Sequence, residues 1–268
     1  ATVFPMKSQP NIILISTDQQ RADTIAALGH GLMITPHLDA LAGEGVAFSN
    51  AFACAATCMS SRYAFYTGHY PHTTGVMGFD AWTGRQNWTH RLRAAGYHCA
   101  NIGKTHIHGP HHGFHERIAD QRNKAQPDYT DTETRPSDWA NELRAAGFEP
   151  PTGLHTTVPD YDRYLTALPW SLPDEWHYDT WMGRKAVEYI ESWDPSGPPR
   201  FLHIGFLGPH EPYDPPQRYI DMYRDRDIPM PHFGPAARTG LPDNLFASRR
   251  AYDSSEPNIS AIRTAFVN

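Results

Sequence analysis

The chain has 268 residues, 40% of them apolar, with a formal net charge of −6 and a pI near 6.2. This composition suits a packed globular core and excludes a disordered chain or a fibre. The charge balance gives no general attraction to nucleic acid or to an anionic membrane surface, so an anion would have to be met by a local cationic pocket.

In chain order, Asn11-Ile12-Ile13-Leu14-Ile15-Ser16 is a short β-branched run, the pattern of a central strand buried on both faces. It leads into the polar Thr17-Asp18-Gln19-Gln20-Arg21. Asp18 is therefore expected at the C-terminal edge of a sheet, where open α/β folds bind ligands. Residues 35–42 predict a short helix, with Pro36 at its first position and glycines 43 and 45 as its stop. Residues 46–52 read as another strand and 60–67 as a helix. Further on, 88–95 predict a helix, 97–102 a strand, 180–193 a long helix and 201–206 a strand. This βα alternation predicts an α/β fold. Residues 120–173 are polar and dotted with proline, and read as an irregular excursion from the sheet rather than a separate domain. Pro257-Asn258-Ile259-Ser260 looks like a helix start close to the end of the chain. No apolar run approaches the roughly 18 residues that a membrane-spanning helix needs.

Three strand ends carry residues with chemical potential. Cys58, in Cys58-Met59-Ser60-Ser61-Arg62, precedes a predicted helix and lies four residues from an arginine. Such a setting lowers a thiol's pKa or holds an anion against guanidinium and backbone N–H groups, although a cysteine is as readily a small buried apolar residue. Lys104 and His106 follow the strand within Gly96 to His106, and in an extended segment both point the same way. Lysine would supply charge to an oxyanion pocket and histidine would move protons. His210 sits in a third loop, between Pro209 and Pro212. Asp18 and Gln19 are hard-oxygen donors, better suited to Ca²⁺, Mg²⁺ or Mn²⁺ than to zinc, but an Asp there could equally cap the next helix. The run His106, His108, His111, His112, His115 has neither of the common zinc spacings. Cys54, Cys58 and Cys99 are too few for a disulfide scaffold and leave a thiol unpaired, as expected in the cytoplasm or for a chemically used cysteine. Residues 1–10 lack the pattern of a signal peptide, so a periplasmic or secreted location would require a leader already removed.

Taken in order, the Asn11–Gln19 segment, Cys58 to Arg62 with Tyr66-Thr67-Gly68-His69-Tyr70-Pro71-His72, Gly96-Tyr97 to Gly103-Lys104-Thr105-His106, and Pro209-His210-Glu211-Pro212-Tyr213 resemble the sulfatases of the alkaline phosphatase superfamily. Phosphonate monoester hydrolases are close relatives of that family. The resemblance implies a central, mostly parallel sheet flanked by helices on both faces. It also implies hydrolysis of a small anionic ester: a sulfate ester, or a phosphonate monoester or phosphodiester on the same site. By the same resemblance Cys58 is oxidised by a separate enzyme to formylglycine, whose hydrate is the nucleophile. Asp18, Gln19 and the modified Cys58 hold a divalent cation, Ca²⁺ first, with Mn²⁺ or Mg²⁺ as alternatives. Arg62 and Lys104 stabilise the hydrate and the ester's charge, His106 assists breakdown of the covalent intermediate, and His210 protonates the leaving oxygen. Gln19 stands where many sulfatases carry a second aspartate, as in choline-sulfatase-like and phosphonate-hydrolase-like members.

Two departures from the family pattern carry their own expectations. Ser60 occupies the proline position of the usual Cys-x-Pro-x-Arg motif, which bears on conversion of Cys58, and an unconverted site would leave a catalytically silent anion- or metal-binding protein. The family's downstream Asp-His-Gly-like segment has no counterpart before Asn268. Residues 1–268 are therefore expected to be the N-terminal part of one large catalytic domain, with the C-terminal remainder as a companion chain. The 120–173 excursion, Trp82, Trp139 and Trp170 are candidates to shape a substrate pocket.

Overall fold

Short β-branched and aromatic runs form a parallel sheet in the computed structural model, which describes residues 9–29, 31–79, 84–106, 112–118, 138–151 and 168–227. Its strands are β1 (Ile12–Ser16), β2 (His98–Gly103), β3 (Glu116–Ile118) and β4 (Arg200–Gly205), in the order β1-β4-β2-β3. The described helices are α1 (Pro36–Glu44), α2 (Cys58–Thr67), α3 (Pro71–Thr74), α4 (Trp88–Ala94), α5 (Asp138–Ala145), α6 (Tyr178–Glu191) and α7 (Gln217–Tyr223). Every described strand pairing is parallel, and Ser16 and Gly103 both align with Gly205. The C-terminal ends of β1, β4 and β2 are therefore level, and the loops that leave them share one edge.

Side-chain alternation divides the core between the two faces of this sheet. Ala100, Ile102, Leu202 and Ile204 pack with Trp139 and Leu143 of α5 and with Trp181, Met182 and Ala186 of α6. Cys99 and Phe201 face the other way, toward Tyr66 of α2 and Phe114, with Trp88 and Leu92 of α4 packed against them. Tyr66 and Trp88 stack with ring centroids 5.0 Å apart, which fixes α2 against α4. Asn87 caps α4, accepting from the Thr89 and His90 backbone N–H groups. Truncating a side chain as enclosed as Trp181 would cost about 3–5 kcal/mol.

The helices flank both faces, as the α/β reading requires, but several local expectations change. β1 lies at an edge of the described sheet, with Ile13 and Ile15 47% and 57% exposed, so it is not a strand buried on both faces. The strand expected over 46–52 does not form. Val46, Phe48 and Phe52 are all about 80% or more exposed, and a lone extended run without a neighbour gains no ladder hydrogen bonds. Helix α2 starts two residues earlier than expected, making Cys58 its first residue. Within the span read as irregular, 138–145 is helical because Trp139 and Leu143, four residues apart, share a buried face. Strand β3 and helix α7 carried too few residues to show a period. The helix start expected at Pro257 lies outside the described residues, as do Trp82, His108 and His111.

One polar network crosses the α2 face of the sheet. The His203 ring on β4 bonds the Tyr66 hydroxyl at 2.6 Å and the Ser16 hydroxyl at 2.9 Å, while the Asn101 amide donates to the His203 carbonyl at 3.2 Å. It ties together three strands and α2. Burial, reinforced by the Arg62 cation, lowers the His203 pKa to about 3. An unfolded histidine titrates near 6.5, so the unfolded chain takes up a proton that the folded one refuses across that interval. Stability should therefore fall as the pH drops from 6.5 toward 3, with this group removing about 2 kcal/mol by pH 5. Urea unfolding at pH 7 and pH 5 should show a smaller loss in His203→Gln than in the wild type, and equal losses would exclude His203 as the cause.

Candidate active site

The level strand ends bring together residues far apart in sequence. Asp18 follows β1, Lys104 follows β2, and Arg62 projects from the second turn of α2. The Lys104 ammonium pairs with the Asp18 carboxylate, and Arg62 Nη2 lies 3.5 Å from the same oxygen. Arg62 Nη1 also donates to the Lys104 carbonyl at 2.7 Å, so the guanidinium bridges the two loops. Lys104 is 1% exposed and Asp18 6% exposed. Such enclosure is uncommon for charged groups and requires pairing. Glycine makes the approach possible: a Cβ on Gly205 would overlap the Lys104 carbonyl oxygen.

Cys58 opens α2 beside this cluster, with its Sγ 3.5 Å from His106 Nδ1. Its pKa is raised, not lowered as the arginine spacing had suggested. Burial outweighs the lowering by Lys104 and Arg62, and the Asp18 carboxylate adds to the rise. Cys58 is consequently a protonated thiol at neutral pH, which argues against a thiolate nucleophile. Ser60 is buried in the first turn of α2, where its hydroxyl bonds the Thr57 carbonyl at 3.3 Å and contacts the Thr57 hydroxyl. At the position where the family motif has proline, the serine thus joins the start of the helix.

Gln19 and His106 are non-glycine residues with φ of 62° and 56°, each just beyond the end of a strand at this edge. Left-handed backbone at such residues is costly and clusters at functional sites. Gln19 is exposed, and among the described residues its side chain takes no part in the ion cluster. His210 reaches the same edge on the loop after β4, but among the described residues its ring bonds within that loop. Nδ1 lies 2.7 Å from the Glu211 carbonyl, which can only accept, so Nδ1 carries a proton and Nε2 is left for other chemistry. Trp139 and Trp170, considered as pocket walls, are instead buried in the core. A cleft of about 230 Å³ lined by Ile118, Glu142, Trp181 and Lys185 shares no residue with the cluster. The sequence reading also missed Asp179 at the start of α6, which accepts from the Leu207 and Gly208 backbone N–H groups. An acidic residue in a helix's first turn was its available signal.

Asp18, Lys104 and Arg62 together carry one negative and two positive charges, which suits an anion better than a cation. Among the described residues no group of three His, Cys, Asp or Glu side chains could hold a metal ion. A divalent cation requires more charged oxygen donors than Asp18 supplies. These residues alone therefore do not make a divalent metal site.

The buried cluster of Asp18, Lys104 and Arg62 beside a helix-opening cysteine lies at the carboxyl edge of the parallel sheet of an α/β protein, the edge where open α/β folds bind ligands. The sulfatase family model matches residues 10–255, and the chain belongs to that family. It is 31% identical over 239 residues to an arylsulfatase of Clostridium perfringens, covering 84% of this chain and 48% of the relative. It is 26% identical to a choline-sulfatase of Rhizobium meliloti, covering 96% of this chain and 50% of the relative. The solved structure of a phosphonate monoester hydrolase from Silicibacter pomeroyi superposes with a TM-score of 0.67 at 22% identity, covering 97% of this chain and 55% of that one. That likeness bears out an alkaline-phosphatase-like fold. The chain spans about half the length of the curated relatives it matches.

Removing the Asp18 carboxylate should leave Lys104 charged and enclosed without its partner. Asp18→Ala is expected to lose about 3–5 kcal/mol of stability in denaturant unfolding. Adding Lys104→Met should recover part of that loss, whereas additive losses would show that the pair is not coupled.

Proposed function

We propose that the cluster belongs to the active site of a sulfate ester hydrolase whose nucleophile is a formylglycine hydrate derived from Cys58. The observation that carries this reading is the meeting of Cys58, Arg62, Lys104 and His106 beside Asp18, in a chain of the sulfatase family. Arg62 and Lys104 supply fixed positive charge where the ester's non-bridging oxygens would lie, and enclosure strengthens that attraction. One hydroxyl of the hydrate, its proton passing to solvent water, attacks sulfur, forming a new S–O bond as the bond to the alcohol breaks. His210, protonated at Nε2, gives its proton to the departing oxygen. The second hydroxyl then yields its proton to His106, the carbonyl re-forms, and sulfate leaves with the electrons of the C–O bond. Water regenerates the hydrate. Asp18, Gln19 and the modified Cys58 are the donors this chain would contribute to a divalent cation, Ca²⁺ before Mn²⁺ or Mg²⁺. Further donors would come from polypeptide beyond the described residues, in keeping with the C-terminal remainder of the hydrolase as a companion chain.

Phosphonate monoesters or phosphodiesters are the second reading, supported by the structural likeness to a phosphonate monoester hydrolase. Sulfate is preferred because the sequence relatives include an arylsulfatase and a choline-sulfatase. A catalytically silent anion-binding protein is the third reading, supported by Ser60 within the modification motif.

Mass spectrometry of the Cys58 peptide from natively produced protein should find an aldehyde or its hydrate. A free thiol in every molecule would exclude the formylglycine mechanism. His210→Ala should slow esters with poor leaving groups by about 100-fold or more and activated aryl esters far less. Equal losses for both would remove His210 as the acid.

A further inference from the structure

The loop that carries His210 is held from the opposite face of the sheet by one carboxylate. Asp179, the second residue of α6, accepts with both oxygens: Oδ1 from the Leu207 N–H at 2.9 Å and Oδ2 from the Gly208 N–H at 2.8 Å. The same peptide segment is tied forward to the site. The Gly208 carbonyl accepts from the Asp18 N–H at 3.1 Å, and the Leu207 carbonyl accepts from the His210 N–H at 3.1 Å. Two successive residues thus donate their N–H groups to Asp179, and their carbonyls accept from the backbones of His210 and Asp18. A Cβ at Gly208 would lie 2.5 Å from Asp179 Oδ2, so a side chain there would displace the carboxylate. A second contact follows the same course: His177, immediately before α6, lies 3.8 Å from Asp214 farther along the loop, and both are buried.

The chemistry of this junction is specific. Two backbone N–H groups aimed at one carboxylate form charge-assisted hydrogen bonds, which are shorter and stronger than neutral ones. An amide in place of the carboxylate would keep one acceptor and turn a donor against the other N–H, leaving that N–H without its partner. A shift of the turn would carry with it the backbones of Asp18 and His210, which it holds, and reactions of this kind are sensitive to such displacements.

We infer that Asp179 is a positioning residue for the hydrolysis proposed above: by clamping the Leu207–Gly208 turn it sets the relative placement of Asp18 and His210. This assignment rests on the ester hydrolase reading for its kinetic consequence, while its geometric content stands apart from it. Asp179 touches no reacting atom and acts through the turn.

The test uses the natural protein with Asp179→Asn, Asp179→Glu and, as a control on the exposed face of the same helix, Glu188→Gln. Turnover is measured on a series of aryl sulfates and aryl phosphonates of graded leaving-group ability, per folded molecule. Asp179→Asn should lower kcat/KM about 10- to 100-fold, with a steeper dependence on the leaving group. Asp179→Glu, which keeps the charge but moves it, should lose less, and Glu188→Gln should match the wild type. Combining Asp179→Asn with His210→Ala should cost less on poor leaving groups than the two separate losses multiplied together, the remainder being the share that acts through Asp18. A loss uniform across the series and additive with His210→Ala, or one accounted for by a smaller folded fraction, would overturn the assignment. Amide hydrogen exchange at Leu207 and Gly208 provides the independent reading and should quicken in Asp179→Asn. Unchanged exchange would refute the clamp. Should the wild type hydrolyse no ester of either series, the hydrolase reading and the kinetic role of Asp179 would fall together, with faster exchange then leaving Asp179 a loop clamp only.

Discussion

The candidate site depends on a buried ion pair. Asp18 and Lys104 come from different strand ends, and each makes the burial of the other tolerable. A pair of this kind contributes little net stability, since desolvating two charges offsets most of their attraction, and an apolar pair of similar volume would often serve the fold as well. Its position is therefore better explained by what the charges can hold than by what they stabilise. Arg62 adds a second cation next to the one carboxylate, so the cluster carries an excess of positive charge.

The sheet makes this arrangement geometrically inevitable once its register is set. Ser16, Gly205 and Gly103 stand level, so the segments that follow β1, β4 and β2 emerge side by side. Helix α2 adds the fourth contribution, anchored from below by the Tyr66–His203 bond and by the stacking of Tyr66 on Trp88. Arg62 and Tyr66 are four residues apart on that helix, so the anchoring of one fixes the reach of the other. Core packing, a neutral buried histidine and the electrostatics of the edge are in this sense one mechanical unit.

Ser60 and Gln19 show how a family site can change while its frame persists. Ser60 bonds back to Thr57 in the first turn of α2, so the position keeps a helix-start role without proline. Gln19 removes a negative charge from an edge that already holds two cations, shifting the local balance further toward anions. Neither residue disturbs the strand or helix that bears it.

The sequence by itself determined the βα alternation, the strands later seen as β1, β2 and β4, and the residues gathered at their ends, because each strand run was strongly apolar and each loop strongly polar. The order of motifs also disclosed the family. It misjudged β1, whose Ile13 and Ile15 lie toward an open face, since hydrophobicity does not state which strand lies at an edge. It placed a strand at 46–52, where no ladder forms, and missed the helix at 138–145, where two aromatic or aliphatic side chains gave too short a period. Tertiary structure alone decided that Lys104 neutralises Asp18, that burial raises rather than lowers the Cys58 pKa, and that Asp179 holds the His210 loop. Those outcomes depend on distances between segments remote in sequence and on exclusion of water, and local pattern carries neither.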